Sequence, residues 1–196
     1  PGRFWSGSTK IGYWRPEIAV YTSPEGTEHL RRSWNAIHQG NIPWVHHATW
    51  NDLSENHAIM PTANLSTTFI ELNRFLTRDW QGLPTDVTVP RLFLSRMREA
   101  QVGEEALFEL LALLPEDVST ATFELDLFDG AGKHLHRFEP RTLTVDGIAA
   151  PHFMFPVQDL PTGRLLAPRA VLRTSHGDVV EIDGEPTIVT PDGFRP

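Results

Sequence analysis

From Thr85 to the C-terminus, apolar and polar residues alternate with a period of two, and Pro, Gly and Asp punctuate the chain at short intervals. That pattern predicts short antiparallel strands joined by tight turns. Candidate strands are Arg91 to Met97, Ala106 to Leu114, Ala121 to Phe128, Leu135 to Phe138, Arg141 to Val145, His152 to Val157, Ala170 to Thr174 and Val179 to Ile182. In the third of these, Phe123, Leu125 and Leu127 alternate with Glu124 and Asp126, as expected of a strand with one face buried. Asp129-Gly130-Ala131-Gly132 and His176-Gly177-Asp178 read as hairpin turns. Together they predict an antiparallel β-sandwich. Glu104 to Leu114 also fits a helix, because a nearly continuous apolar run has no distinguishing period.

The first 84 residues follow a different rhythm. Ile18-Ala19-Val20-Tyr21 reads as a strand closed by the turn Ser23-Pro24-Glu25-Gly26. Leu30, Trp34, Ile37 and His38 then recur at helical spacing over Glu28 to Gln39, with Thr27 as the expected N-cap and Gly40 as the stop. Pro43 to Thr49 reads as a second, buried strand, and a second helix begins at Ser66, with Phe69, Leu72, Phe75 and Leu76 on one face and Gly82-Leu83-Pro84 as its exit. Strand, helix, strand, helix is the grammar of a parallel sheet or barrel. Two such units are far short of the roughly 250 residues of a complete (β/α)8 barrel. The expected fold class is therefore α/β plus all-β. Residues 1–84 are read as the C-terminal βα units of a barrel, and residues 85–196 as an accessory β-sandwich. A partial barrel would need another polypeptide segment to complete its sheet, or would expose aromatic surface around Trp5, Trp14 and Trp34.

Composition sharpens this division. All six Trp and both Tyr precede residue 85, where seven basic residues balance seven acidic ones, so the net charge of −8 belongs to the second part. With no basic stripe, nucleic acid and anionic membranes are excluded as expected partners. No apolar run approaches the roughly 20 residues of a membrane-spanning helix. The absence of Cys excludes disulfides, thiolate metal sites and thiol nucleophiles. The aromatics after residue 85 are all Phe, which suits a core rather than a glycan-binding face, so this part is expected to contribute no catalytic group.

The candidate chemistry lies in Trp50-Asn51-Asp52-Leu53-Ser54-Glu55-Asn56, just past the carboxyl end of the Pro43 strand. Two carboxylates three residues apart on one loop can divide acid and base roles, and open α/β enzymes place their chemistry at strand carboxyl ends. The heptapeptide resembles the Trp-Asn-acid-x-x-Glu signature of the glycoside hydrolase family 71 α-1,3-glucanases and, more loosely, that of family 99 endo-mannosidases. The resemblance covers roughly residues 10 to 98, with Leu53 and Asn56-His57 departing from the family pattern. It implies a glycoside hydrolase acting on an α-glucan-like polysaccharide or oligosaccharide at the cell surface or outside the cell, with Asp52 and Glu55 as the catalytic pair and Asn51 holding a sugar hydroxyl or a carboxylate. Which acid has which role, and whether the anomeric centre is retained or inverted, depends on a separation that spacing does not give.

Trp50, Trp14 and Tyr13 are candidate sugar platforms, since a pyranose has apolar faces that suit a flat ring. His47 and His57 are candidate hydrogen-bonding groups to substrate. His46 and His47 point to opposite sides of a strand, so no metal centre is expected, and no cofactor. The rival reading is a non-catalytic carbohydrate-binding or assembly protein that keeps the aromatic surface without working acids.

Overall fold

The computed structural model describes residues 5–15, 20–23, 25–52, 58–62 and 66–191. The chain divides between Pro84 and Thr85 into two compact units.

The first unit holds β1 (Gly7–Thr9), β2 (Tyr13–Arg15), β3 (Val20–Thr22), α1 (Glu28–Gln39), β4 (Val45–His47) and α2 (Thr68–Trp80). β1 and β4 pair in parallel, with Thr9 opposite His47, and β2 and β3 form a separate antiparallel pair. Helix α1 forms over the stretch that its apolar spacing predicts, and it buries Leu30, Trp34 and Ile37, four and three residues apart on one face. Its contact with β1 is close enough that a Cβ on Gly7 would lie 2.6 Å from Cγ1 of Ile37, so only glycine fits there. The expected caps differ in detail. Thr27 makes no capping bond; its hydroxyl instead accepts from Nε of Arg31 at 3.1 Å. Ser66 lies before the cap position of α2, with φ of 50° and its N–H donated to the carbonyl of Thr62.

The expectation of C-terminal βα units of a (β/α)8 barrel is overturned. Two helices stand against fifteen strands among the described residues, and nearly all the strand content is in the sheets of the second unit, which are antiparallel except where Glu99–Gln101 meets Thr187–Thr190. In the first unit the strands are three residues long. Between β1 and β4, β2 and β3 pair antiparallel with each other before α1, and the parallel pair extends into no wider sheet among the described residues. The sequence order mimics barrel grammar because a short apolar run before a helix looks the same whether its strand joins a parallel sheet or a local hairpin. The exposed aromatic surface expected around Trp5, Trp14 and Trp34 also needs correction. Trp5 is 67% exposed, but Trp34 is 1% exposed, at the centre of the unit's own core. The side chain of Trp14 lies outside the described residues.

The second unit contains β5 (Arg91–Arg96), β6 (Glu99–Gln101), β7 (Glu105–Leu113), β8 (Thr120–Phe128), β9 (His134–Arg137), β10 (Arg141–Thr144), β11 (Ile148–Ala149), β12 (His152–Pro156), β13 (Leu165–Thr174), β14 (Val179–Asp183) and β15 (Thr187–Thr190). A seven-stranded sheet is built on the antiparallel pair β8 and β13, and a four-stranded sheet on β7 flanked by β5, β11 and β12. The arrangement is sandwich-like. β7 is a strand rather than the alternative helix, pairing along its length with β5 and β12. The inward positions Phe108, Leu110, Ala112, Phe123, Leu125, Leu127, Phe153, Ala170 and Leu172 belong to one core, and β8 alternates buried and half-buried residues as its sequence predicts. Glu109, fully buried in β7, is met by Nε2 of His152 at 3.2 Å. Asp129 closes the β8–β9 hairpin by accepting from the backbone N–H groups of Ala131 and Lys133.

Phe123→Ala removes a fully buried ring from this core. It is expected to lower unfolding free energy by about 3–5 kcal/mol in a denaturant titration; a loss below about 1 kcal/mol would contradict the packing described.

Candidate functional site

The site is assembled by helix α2 and the segment that leaves β4. Ile70, Asn73, Arg74, Thr77 and Arg78 recur at three- and four-residue spacing and so share one face of α2. Together with His47, Trp50 and Ile59 they line a cavity of about 370 Å³. That is at the small end of the range for ligand pockets.

The segment after β4 is held by its own backbone. The hydroxyl of Thr49 accepts the N–H of Asp52 at 3.1 Å, and the carbonyls of Thr49 and Trp50 accept the N–H groups of Ile59 and Met60 at 3.2 and 3.0 Å. These bonds pin both ends of the loop that carries the acid motif. Trp50 is 53% exposed while lining the cavity, so part of its indole is offered to solvent. Asp52 is half-buried and Asn51 exposed. Glu55 and His57 lie outside the described residues.

His47 joins the cavity wall from β4, and its Nδ1 lies 2.7 Å from the hydroxyl of Thr9 on the paired strand. The ring is exposed on one side, but its partial desolvation against the cavity wall, assisted by neighbouring His46, holds its pKa below the ordinary histidine value. Neutral imidazole is therefore the form favoured near neutral pH, able to serve as donor or acceptor according to tautomer.

Behind the cavity lies an aromatic cluster. The ring of Trp34 is 5.7 Å from that of His47 and 6.4 Å from those of His38 and Trp80, and Nε1 of Trp80 donates to the carbonyl of Ile42 at 3.1 Å. Nε1 of Trp34 donates to Oδ1 of Asn73 at 2.9 Å. Because indole nitrogen is only a donor, this contact fixes which end of the Asn73 amide is oxygen. The other end, Nδ2, is buried without a hydrogen-bond partner, although Asn73 is only 5% exposed. Nε and Nη2 of Arg78 donate to the carbonyl of Pro84 at 3.0 and 2.8 Å, which fixes the guanidinium at the cavity's edge.

Of the eight residues singled out from the sequence, the structure brings His47 and Trp50 together in the cavity. Asp52 and Asn51 follow Trp50 on the pinned segment; Tyr13, half-buried in β2, is not among the lining residues. The α2 face was missed. Its sequence signal was the polar run Asn73, Arg74, Thr77 and Arg78 at helical spacing, which the strong apolar face beside it masked. Among the described residues, no cluster of three or more His, Asp or Glu side chains is arranged to hold a metal ion.

No protein-family model matches the chain, and no curated protein matches it. Solved structures with partial similarity include the CARDB domain of the PF1109 protein from Pyrococcus furiosus (14% identity, TM-score 0.33), covering 53% of this chain and 90% of that domain. A β-glucosidase mutant from Listeria innocua in complex with laminaribiose (13%, TM-score 0.31) covers 50% of this chain and 16% of its own. A β-glucuronidase from Bacteroides uniformis (16%, TM-score 0.32) covers 48% and 13%. The chain thus spans less than a fifth of either enzyme.

Two outcomes test this geometry. Trp34→Phe keeps an aromatic ring but removes the indole N–H and part of its buried volume, leaving the Asn73 amide oxygen without this donor, and a loss of at least about 1–3 kcal/mol in stability is expected on denaturant unfolding. In an NMR titration the His47 ring should protonate with a midpoint below about 6.5, the unperturbed value. Folding then disfavours the charged form, so His47 costs stability as pH falls from about 6.5 through its folded midpoint, and nothing above it. A midpoint at or above 6.5 would contradict the desolvated placement.

Proposed function

We propose that this chain carries part of a glycan-cleaving site, with Asp52 and Glu55 as the acid and base or nucleophile and a sugar ring resting on Trp50. The observation that supports the reading is the placement of Trp50, the platform expected from the sequence. It lines a cavity of ligand size while the acid motif leaves from the next residue on a segment pinned at both ends. Glycoside hydrolysis asks for two carboxyl groups and a surface that orients the ring, and the motif supplies both residue types within six positions. The resemblance of Trp50-Asn51-Asp52 and Glu55 to the family 71 signature points the same way, toward an α-glucan-like chain worked on outside the cell. The proposed partner is therefore a polysaccharide or oligosaccharide. Among the described residues the β1–β4 pair meets no third strand, and its edges are where a further polypeptide segment would add to the first unit.

A second reading, glycan binding without cleavage, is favoured by one specific feature: Trp5, Trp44 and Trp50 are each more than half exposed in a unit that buries Trp34 completely. Asp52→Asn and Glu55→Gln separate the two. Each substitution preserves shape while removing ionisable chemistry, so the cleavage reading expects release of reducing ends to fall by at least about a hundredfold with glycan affinity kept. Unchanged turnover in both variants would remove the catalytic assignment. Binding without turnover by the unmodified chain would favour the second reading.

A further inference from the structure

We infer that Asn73 is the ligand-reading residue of a single-sugar subsite: its Nδ2 donates to an acceptor oxygen on a pyranose ring whose apolar face lies against Trp50. The inference rests on the glycan-site reading and adds to it a residue that the acid motif does not contain.

Three observations meet in this cavity. First, the Asn73 amide nitrogen is a buried donor with no hydrogen-bond partner. Such groups are rare because desolvation without a bond is costly, and a recurrent reason for keeping one is a ligand that supplies the missing acceptor. Second, the amide cannot flip to another partner, because its oxygen is committed to the buried N–H of Trp34 at 2.9 Å. The donor's direction is thus set before any ligand arrives, and little order is lost on binding. Third, the rest of the lining is divided by chemistry. Trp50, Ile59 and Ile70 are apolar, whereas Asn73, Thr77, Arg74 and Arg78 carry polar hydrogens, and no carboxylate is among the described lining residues. A pocket with one apolar wall and one donor-rich wall suits a ring with an apolar face and acceptor oxygens at its edge, and disfavours a cationic ligand. A ring hydroxyl and a uronate carboxylate share that acceptor chemistry.

The test uses the full 196-residue chain. It is titrated by calorimetry with neutral gluco-oligosaccharides in one arm and glucuronate-containing oligosaccharides of matched length in the other, for the wild type and for Asn73→Asp. The substitution keeps an oxygen facing Trp34 and replaces the donor with a second oxygen. At least tenfold weaker binding of the neutral sugar supports a hydroxyl acceptor. A larger loss confined to the uronate arm supports a carboxylate, which the new charge also repels. In the wild type, the side-chain amide resonances of Asn73 should shift on saturation with the bound sugar, a readout that does not depend on the variant folding. Equal affinities of wild type and a folded Asn73→Asp chain in both arms, or amide signals that stay unmoved on saturation, would overturn the proposal and leave the catalytic reading intact. No binding of either sugar to the wild type would overturn both.

Discussion

The buried hydrogen bond from Trp34 to Asn73 is the constraint on which the first unit and its cavity depend. It joins the inward face of α1 to the cavity-lining face of α2, thirty-nine residues apart in sequence. Its strength as an organiser comes from asymmetry. The net gain of forming such a bond is about 1 kcal/mol, whereas a buried donor or acceptor left unmatched costs about 1–3 kcal/mol, so competing helix registers are penalised more than the native one is rewarded. The indole also sits among His38, His47 and Trp80, so one side chain fixes the rotation of α1 and supplies the surface against which the β4 exit packs. A chain whose strands here are three residues long has little sheet to organise it. Side-chain packing around Trp34 takes that role.

Satisfying Trp34 leaves Asn73 half satisfied, and in the proposed subsite this links folding to recognition. The bond that specifies the helix pair commits the amide oxygen and turns the amide nitrogen into a fixed donor. Meanwhile the segment leaving β4 is tied back by the Thr49 hydroxyl and by two backbone bonds, so the indole of Trp50 reaches the same cavity by a separate route. Two independent local devices therefore converge on one small space, which is the usual way a binding site is held within tenths of an ångström. The second unit shows the contrasting logic. Its core is filled by Phe, Leu and Ala with regular alternation, and its surface carries paired charges such as Arg173 with Glu124 and Asp126 with Arg137. The Arg137 bond holds the Asp126 carboxyl below the usual carboxylate range.

Periodicity made much of this legible. Helix α1 forms over the expected Glu28–Gln39, and β8, with its alternating Phe123, Leu125 and Leu127, needed only local pattern to be read. β15 and β6 were missed because they are three or four residues long, too short to show a period, and they pair in parallel across the sequence. The barrel reading failed for a related reason: residue pattern reports what a strand buries, not which strand it pairs with, and here β2 and β3 fold on each other. Trp50 and His47 stand out in the sequence because motif and strand end coincide, and both line the cavity. Asn73 could not, since its meaning comes from Trp34 on another helix and from the direction of one N–H group.

The most direct measurement is a crystal structure of the chain bound to an oligosaccharide. The sugar is expected to stack on Trp50, with one of its oxygens about 2.9 Å from Nδ2 of Asn73 and the glycosidic linkage facing Asp52. Density for the sugar on another surface, with the cavity between Trp50 and α2 unoccupied, would contradict it.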